Sequence, residues 1–269
     1  MARKADAVTQ SQIIYGRHPV LAALRRAESP LEEVMVAQGA GGKWLSEVRQ
    51  LAKALGVRLR VQDRAALDRL CGTPHHQGVM ARRAVYVYRS QDQLLDCVAA
   101  LPEPALLVAA DGLTDPMNMG NLCRSALAAG AHGLIIPKDR AVGVTPAVAK
   151  AAAGALEYLA VYRVTNLADT LRRLKDSGLF IIGTDARAPQ SLYGADLTGA
   201  LALVVGSEDK GMRPRVRQHC DLVVNIPLAT AEIGSLNAAT AGAVALFEAR
   251  RQRLAVSGQL SAISKKPNV

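Results

Sequence analysis

The chain has 269 residues, of which half are apolar, and it carries a formal net charge of +10. This length suits one large domain or two modest ones, and the apolar content is sufficient for a sizeable core. The basic excess favours a polyanionic partner, with nucleic acid ahead of a membrane surface, although a protein that is merely basic and soluble is an equally open interpretation.

Targeting signals and cysteine patterns narrow the class of protein further. The first residues, MARKADAVTQSQ, are polar and lack the apolar segment of a secretory signal. No apolar run reaches the length that a membrane span requires. The four cysteines are scattered without a CxxC pair, which argues against a zinc site or a disulfide framework. We therefore expect a cytoplasmic protein with reduced thiols, no membrane segment and no metal.

The N-terminal third alternates short strand and helix patterns. Residues 1–11 are predicted to be a disordered basic tail, and residues 12–89 a small α/β domain. Within it, LEEVMVA is typical of a strand, whereas KWLSEVRQLAKALG has apolar residues every three or four positions and ends at a glycine, as a helix does. Residues 1–100 hold fifteen Lys or Arg against nine Asp or Glu, an excess of +6 that is consistent with a module that contacts RNA.

The remainder of the chain is organised differently. Residues 90–104 contain one amphipathic helix, end in Pro-Glu-Pro and are predicted to be a linker. From 105 to 254, buried strand patterns such as ALLVAAD, HGLIIP and LALVVG alternate with helices, the last of which is predicted over Ser235–Arg253. This alternation implies an α/β domain with a mostly parallel sheet covered on both faces. Residues 255–269 are predicted to be a second disordered tail.

Polar residues follow several of these strands, where ligands bind in open α/β sheets. They are Asn118, Arg124, Glu208, Ser235 and Asn237. Taken singly, the asparagines and the serine could be helix caps, the arginine a surface residue and the glutamate part of a solvated turn. Their joint occurrence at strand ends of one domain predicts a functional site. The dinucleotide, Walker, HExxH and GxSxG motifs are absent, so hydrolase or kinase chemistry has no support.

Three segments of the C-terminal domain resemble a known enzyme family. NMGNLCRSALAAG, LVVGSEDKGM and IPLATAEIGSLNAATA are similar, in order and spacing, to the motifs of the SpoU (TrmH-type) RNA 2′-O-ribose methyltransferases. IIYGRHPVLAAL and HHQGVMA resemble the substrate-binding domain of the RlmB-type subgroup, which modifies a guanosine in 23S ribosomal RNA. The resemblance extends from Ile13 to about Arg253.

The resemblance implies a fold, a cofactor and an assembly. The C-terminal domain would contain a deep trefoil knot, and the N-terminal domain would resemble an RNA-binding ribosomal protein. S-adenosylmethionine would be held by backbone groups at Gly206, Ile226, Leu228 and Leu236. The enzyme would be a homodimer with the site completed across the interface, and its substrate would be ribosomal RNA.

The family also implies residue roles. Asn118 and Arg124 would hold the target nucleotide and its phosphate, Glu208 and Asn237 would orient the arginine or the ribose, and Ser235 would hold its loop. Because a guanidinium stays protonated, we expect Arg124 to position groups and to stabilise an alkoxide rather than to remove a proton. Phosphate contacts in the N-terminal domain are predicted for Arg17, Arg82 and Arg83.

One loop departs from the family pattern, and two alternatives for the function remain open. IPLATAEIGSLN is one residue longer than is usual, with Thr230 where a glycine is expected and Ala239 where a serine is expected, so we expect an altered course between Leu228 and Gly234. One alternative is a tRNA ribose methyltransferase, which can lack an appended N-terminal domain. The other is a knotted RNA-binding or resistance protein with altered catalysis.

Overall fold

The computed structural model describes residues 11–26, 31–230 and 232–258, which divide into two compact units. The first unit comprises the described residues of Met1–Val87 together with Val144–Glu157, and the second comprises Tyr88–Gly143 with the described residues of Tyr158–Val269. In the first half of the chain the elements are β1 (Ser11–Tyr15), α1 (Arg17–Arg25), β2 (Leu31–Ala37), α2 (Lys43–Ala54), β3 (Arg58–Gln62), α3 (Arg64–Cys71), β4 (Val79–Ala84), α4 (Gln91–Ala100), β5 (Leu106–Asp111) and α5 (Pro116–Ala129). In the second half they are β6 (Gly133–Pro137), α6 (Pro146–Ala151), β7 (Val161–Val164), α7 (Leu167–Asp176), β8 (Phe180–Thr184), β9 (Gln190–Ser191), β10 (Leu201–Gly206), α8 (Pro214–Arg217), β11 (Leu222–Asn225) and α9 (Ala238–Val256).

The first unit is built on a four-stranded sheet in the order β1-β4-β2-β3. β4 is antiparallel to β1 and β2, whereas β2 and β3 are parallel. The predicted strand and helix of LEEVMVA and KWLSEVRQLAKALG are both present. Apolar residues at helical spacing on α2, namely Leu45, Val48 and Ala52, are buried, so this helix is held by its apolar face.

A segment from the middle of the chain completes the first unit. The side-chain amide of Gln12 donates to the carbonyl of Val144 at 2.6 Å. The sequence pattern TPAVAKAAAGALE predicts a single helix, but α6 ends at Ala151 and is followed by a short 3₁₀ turn over Ala155–Glu157. The helix is interrupted because Ala153 and Gly154 have left-handed φ values of +51° and +96°. A Cβ at Gly154 would also lie 2.6 Å from the Cβ of Ala22 on α1. The first unit is therefore not the continuous segment 12–89 that the sequence predicts.

The second unit has a seven-stranded, fully parallel sheet in the order β7-β6-β5-β10-β8-β11-β9, which confirms the predicted α/β architecture. Every residue of β5 and β10 is buried, as expected for central strands covered on both faces. The segment 90–104, predicted as a linker with one amphipathic helix, contains that helix as α4, which begins at a capping box between Ser90 and Gln93. Its Leu94 is fully buried in the core of this unit, so apolar burial makes the segment part of the domain.

The chain ends differ from the sequence prediction at a few positions. Ser11 already belongs to β1, and α9 continues to Val256. The other residues of the two predicted tails that lie outside 11–258 are not described. Among the described residues, no helix has both the length and the apolar character required to cross a membrane.

Candidate active site

Four neighbouring strands bring the candidate residues to one edge of the parallel sheet. β5, β10, β8 and β11 are adjacent, and the loops that follow β10, β8 and β11 enclose a cavity of about 350 Å³. The residues expected to bind the cofactor, Gly206, Ile226, Leu228 and Leu236, all line this cavity, and so do Glu208 and Ser235. The sequence prediction of a site at these strand ends therefore agrees with the placement of its residues.

Gly206 closes one side of the cavity through a close backbone approach. The turn after it is pinned by two reciprocal hydrogen bonds, from the amide of Ser207 to the carbonyl of Gly211 at 3.1 Å and from the amide of Gly211 to the carbonyl of Ser207 at 2.9 Å. A Cβ at Gly206 would lie 2.3 Å from the carbonyl carbon of Gly211 and 2.4 Å from the amide nitrogen of Met212. Since both contacts are with backbone, only glycine permits this turn.

Three of the five candidate catalytic residues form one hydrogen-bonded cluster. The Nδ2 of Asn118 donates to the Oε1 of Glu208 at 2.9 Å, and the Nδ2 of Asn237 donates to the Oδ1 of Asn118 at 2.9 Å and also to the same glutamate oxygen. Asn237 additionally caps α9, because its Oδ1 accepts from the amide of Thr240 at 3.2 Å. The cluster joins the starts of α5 and α9 to the turn after β10.

The helix-cap interpretation is correct for Asn237 and wrong for Asn118. Asp115 is the N-cap of α5, and its carboxylate accepts from the amide of Asn118 at 2.8 Å. The side chain of Asn118 is thereby left available for the cluster with Glu208 and Asn237. Ser235 is exposed at the rim of the cavity and is not a cap, since α9 begins three residues later.

Arg124 lies apart from this cluster. Its side chain is exposed on α5 and is not among the residues that line the cavity. Within 11–26, 31–230 and 232–258 it has no ion-pair or hydrogen-bond partner. The structure thus brings together Asn118, Glu208 and Asn237, but it leaves the guanidinium of Arg124 outside the group.

Two aspartates that end strands were not singled out from the sequence. Asp111 is fully buried at the end of β5 and accepts from the amide of Arg213 at 2.7 Å and from its Nε at 2.6 Å. Asp185, after β8, lines the cavity. The signal for both was an aspartate closing an apolar strand pattern, in ALLVAAD and LFIIGTD.

The carboxylate of Asp185 is held in its ionised form. Partial burial raises its pKa, but hydrogen bonds from the amide of Arg187 and the guanidinium of Arg217 outweigh burial and lower the pKa below its usual value. The amide of Arg187 lies 2.9 Å from Oδ1. Asp185 therefore contributes an ionised carboxylate beside the apolar lining of the cavity.

The longer loop still reaches the cavity at both ends. Leu228 and Gly234 line the cavity, while the hydroxyl of Thr230 accepts from the amide of Glu232 at 3.2 Å. Ala231 lies outside the described residues, so the predicted altered course is not tested there. Ala239 is buried in the first turn of α9.

The three arginines predicted to contact RNA have different surroundings in the first unit. Arg17 is exposed, and its guanidinium carbon lies 4.7 Å from the ring centroid of Trp44. Arg82 lies 3.5 Å from a carboxylate oxygen of Glu33. Arg83 is buried and its Nη1 donates to Glu157 at 2.5 Å, which argues against a phosphate contact by this residue.

Comparison with known proteins identifies the family. Residues 105–247 match the model of the SpoU rRNA methylase family, and residues 13–88 match the model for RNA 2′-O ribose methyltransferase substrate binding. The chain belongs to the SpoU rRNA methylase family. Its resemblance to that family, inferred from three short motifs, is thereby confirmed over most of the chain.

Individual relatives of this SpoU-family chain cover nearly its whole length. It is 42% identical to the 23S rRNA (guanosine-2′-O-)-methyltransferase RlmB of Ralstonia nicotianae over 93% of this chain and 99% of the relative. It is 41% identical to the protein of the same name from Escherichia coli K12, over 90% and 99%. Among solved structures, it is similar to the SpoU methyltransferase AviRb from Streptomyces viridochromogenes in complex with AdoMet, with a TM-score of 0.76, 27% identity and 91% coverage of both chains.

No group of three or more His, Cys, Asp or Glu side chains with the geometry of metal ligands occurs in the part of the chain that the structure describes. The residues that line the cavity of this SpoU-family site offer carboxylates, a guanidinium group, and backbone amides and other backbone atoms. Such groups bind and orient a cofactor and an RNA ribose through hydrogen bonds and charge.

The ion pair between the buried Asp111 and the partly exposed Arg213 yields a test of how the site is held. Arg213→Ala removes one of the two donors to a fully buried carboxylate, which we expect to lower the free energy of unfolding by about 2 kcal/mol. Arg215→Ala, which removes an exposed arginine from the same segment, is the control and should change it by less than about 0.5 kcal/mol. Equilibrium denaturation measures both, and equal effects of the two variants would contradict the assigned role of the pair.

Proposed function

We propose that this SpoU-family enzyme transfers a methyl group from S-adenosylmethionine to the ribose 2′-oxygen of a guanosine in 23S ribosomal RNA. The observation that carries the proposal is the position of the Asn118–Glu208–Asn237 cluster next to a cavity at the carboxyl ends of β10, β8 and β11. The similarity to enzymes named for this reaction supports the choice of substrate.

The residues of the cavity fit the cofactor. Ile226, Leu228 and Leu236 supply an apolar lining suited to an adenine ring, and the absence of a side chain at Gly206 allows backbone groups to approach closely. Asp185 places a carboxylate at the cavity for polar or cationic parts of the ligand. When bound, the sulfonium supplies an electrophilic methyl group, so the protein's main contribution is alignment.

The remaining polar residues suit the ribose and phosphate of the target nucleotide. Asn118 and Asn237 are held in fixed orientations because both donate to Glu208, which makes them suitable for positioning a ribose hydroxyl. A guanidinium carries a permanent positive charge, so the role of Arg124 is to bind the phosphate and to stabilise the alkoxide as it develops. Ser235 supports the loop at the rim.

We also propose that the active enzyme is a homodimer whose site is completed across the interface. This accounts for the exposed position of Arg124 on α5, outside the cluster of its own chain. α9, which packs against α5, has Phe247 48% exposed, an apolar group that a second copy could cover. We further propose that the second unit contains the trefoil knot expected from the family and that the protein is cytoplasmic.

The reaction is tested by incubating the purified protein with labelled S-adenosylmethionine and unmodified 23S rRNA. We expect label at one guanosine, located by mapping ribose methylation. Label in tRNA but not in 23S rRNA would overturn the substrate assignment. Binding of cofactor and rRNA without any transfer would instead favour a catalytically altered RNA-binding protein.

The role of Arg124 gives a second prediction. Arg124→Ala should lower kcat by about 10²- to 10³-fold, the usual effect of removing a group that stabilises developing charge. The Kd for S-adenosylmethionine should change by less than about twofold, since the side chain does not line the cavity. Arg215→Ala removes another exposed arginine and should leave both constants unchanged. Retention of full activity by Arg124→Ala would refute the role.

Gly206 gives a third prediction. Gly206→Ala should weaken S-adenosylmethionine binding by at least about tenfold, because the new methyl group would displace the backbone of Gly211 and Met212. Gly199→Ala is the matched control, since nothing lies within 4 Å of a Cβ at that position. Isothermal titration calorimetry compares the two variants, and equal affinities would contradict the proposed cofactor site.

A further inference from the structure

Lys150 is a cation in the methylase part of the sequence, the residues 105–247 that match the methylase family model. The structure nevertheless places it in the first unit. It lies at the end of α6, within Val144–Glu157. Its side chain passes over Gly16, where an added Cβ would lie 2.3 Å from Nζ and 2.9 Å from Cδ. Gly16 also has a φ of +98°, so a side chain there would be strained as well as obstructive. The glycine thus leaves room for the ammonium group beside the next residue, Arg17.

Arg17 is held in a defined orientation by Trp44. Its guanidinium carbon lies 4.7 Å from the indole centroid, and its backbone amide donates to the side-chain oxygen of Gln77 at 3.1 Å. Stacking on an aromatic face fixes the plane of a guanidinium without using its in-plane donors. Because Arg17 is exposed, those donors are available to a ligand.

Arg17 and Lys150 differ from several other arginines of the first unit, which have a carboxylate partner. Arg25 pairs with Glu47 at 2.5 Å, and Arg82 lies 3.5 Å from Glu33. Neither Arg17 nor Lys150 has an ion pair with any residue that the structure describes. Partial burial lowers the pKa of Lys150, and the charge of Arg17 lowers it further. Two adjacent positive groups, one of them partly desolvated, are therefore left without an anion.

We infer that Lys150 and Arg17 jointly bind one backbone phosphate of the RNA substrate, so that a residue from the methylase part of the sequence completes the RNA-binding surface of the first unit. A planar guanidinium offers paired donors that match phosphate oxygens, and an adjacent ammonium adds a point charge. Such a contact positions the RNA without reading its sequence. The inference rests on the proposed function, because it requires an RNA substrate.

The test measures binding of the full-length protein to unmodified 23S rRNA at several salt concentrations. Lys150→Gln and Arg17→Gln should each raise Kd about tenfold and reduce the salt dependence by about 0.7 to 0.9 in log Kd per log salt, the value for one phosphate contact. Because both side chains bind one phosphate, the double variant should lose less than the product of the single effects. Lys53→Gln, which removes an exposed lysine of α2, should change little.

A structural role for Lys150 predicts different results. If the lysine only supported packing, Lys150→Gln would lower Tm and Lys150→Arg would not restore RNA binding. We expect instead that Lys150→Gln keeps or raises Tm, because it removes repulsion with Arg17, and that Lys150→Arg recovers most of the affinity. S-adenosylmethionine affinity should be unchanged throughout.

The outcomes separate this inference from the proposed function. Wild-type protein that methylates 23S rRNA while Lys150→Gln binds that RNA equally well would refute the phosphate site and leave the function standing. Wild-type protein that neither binds nor methylates 23S rRNA would overturn the function and this inference with it.

Discussion

The close approach of backbone at Gly206 is the constraint on which the site depends. β10 is hydrogen-bonded to β5 on one side and to β8 on the other, so its end lies at the centre of the sheet edge. The chain can turn back there only because Gly206 has no side chain to meet Gly211 and Met212. That turn carries Glu208 towards Asn118 and Asn237, and it forms one side of the cavity.

Buried and partly buried charges hold the surrounding loops in place. Asp111 joins the end of β5 to Arg213, which follows the turn, while Asp185 joins the end of β8 to Arg217 at the end of α8. A carboxylate that accepts from both a backbone amide and a guanidinium is compensated for its loss of water. In the first unit, the cations of Arg17 and Lys150 have no such compensation from the described residues. The carboxylates that are paired with arginines stabilise the fold, whereas the two cations without a carboxylate partner are the groups that we propose bind a ligand.

Sequence patterns predicted the second unit well because its strands are buried on both faces. Continuous apolar runs such as LALVVG belong to central parallel strands, and Asn118, Glu208 and Asn237 meet because parallel strands end at one edge. The errors have equally physical causes. The segment 90–104 has the prolines of a linker, yet Leu94 is buried and makes its helix part of the domain. The alanine-rich pattern after Thr145 predicts a single helix, yet left-handed backbone at Ala153 and Gly154 interrupts it.

Periodicity and composition were enough to determine the fold class, and the resemblance of three motifs indicated the family. The apolar runs also predicted the strand ends at which the candidate site lies, because these depend on local burial and chain order. Only the tertiary structure decided which side chains meet. It placed Val144–Glu157 in the first unit, it buried Arg83 against Glu157, and it left Arg124 outside the cluster formed by Asn118. Contacts between residues far apart in the chain depend on packing in three dimensions, and a single sequence contains no periodic signal for them.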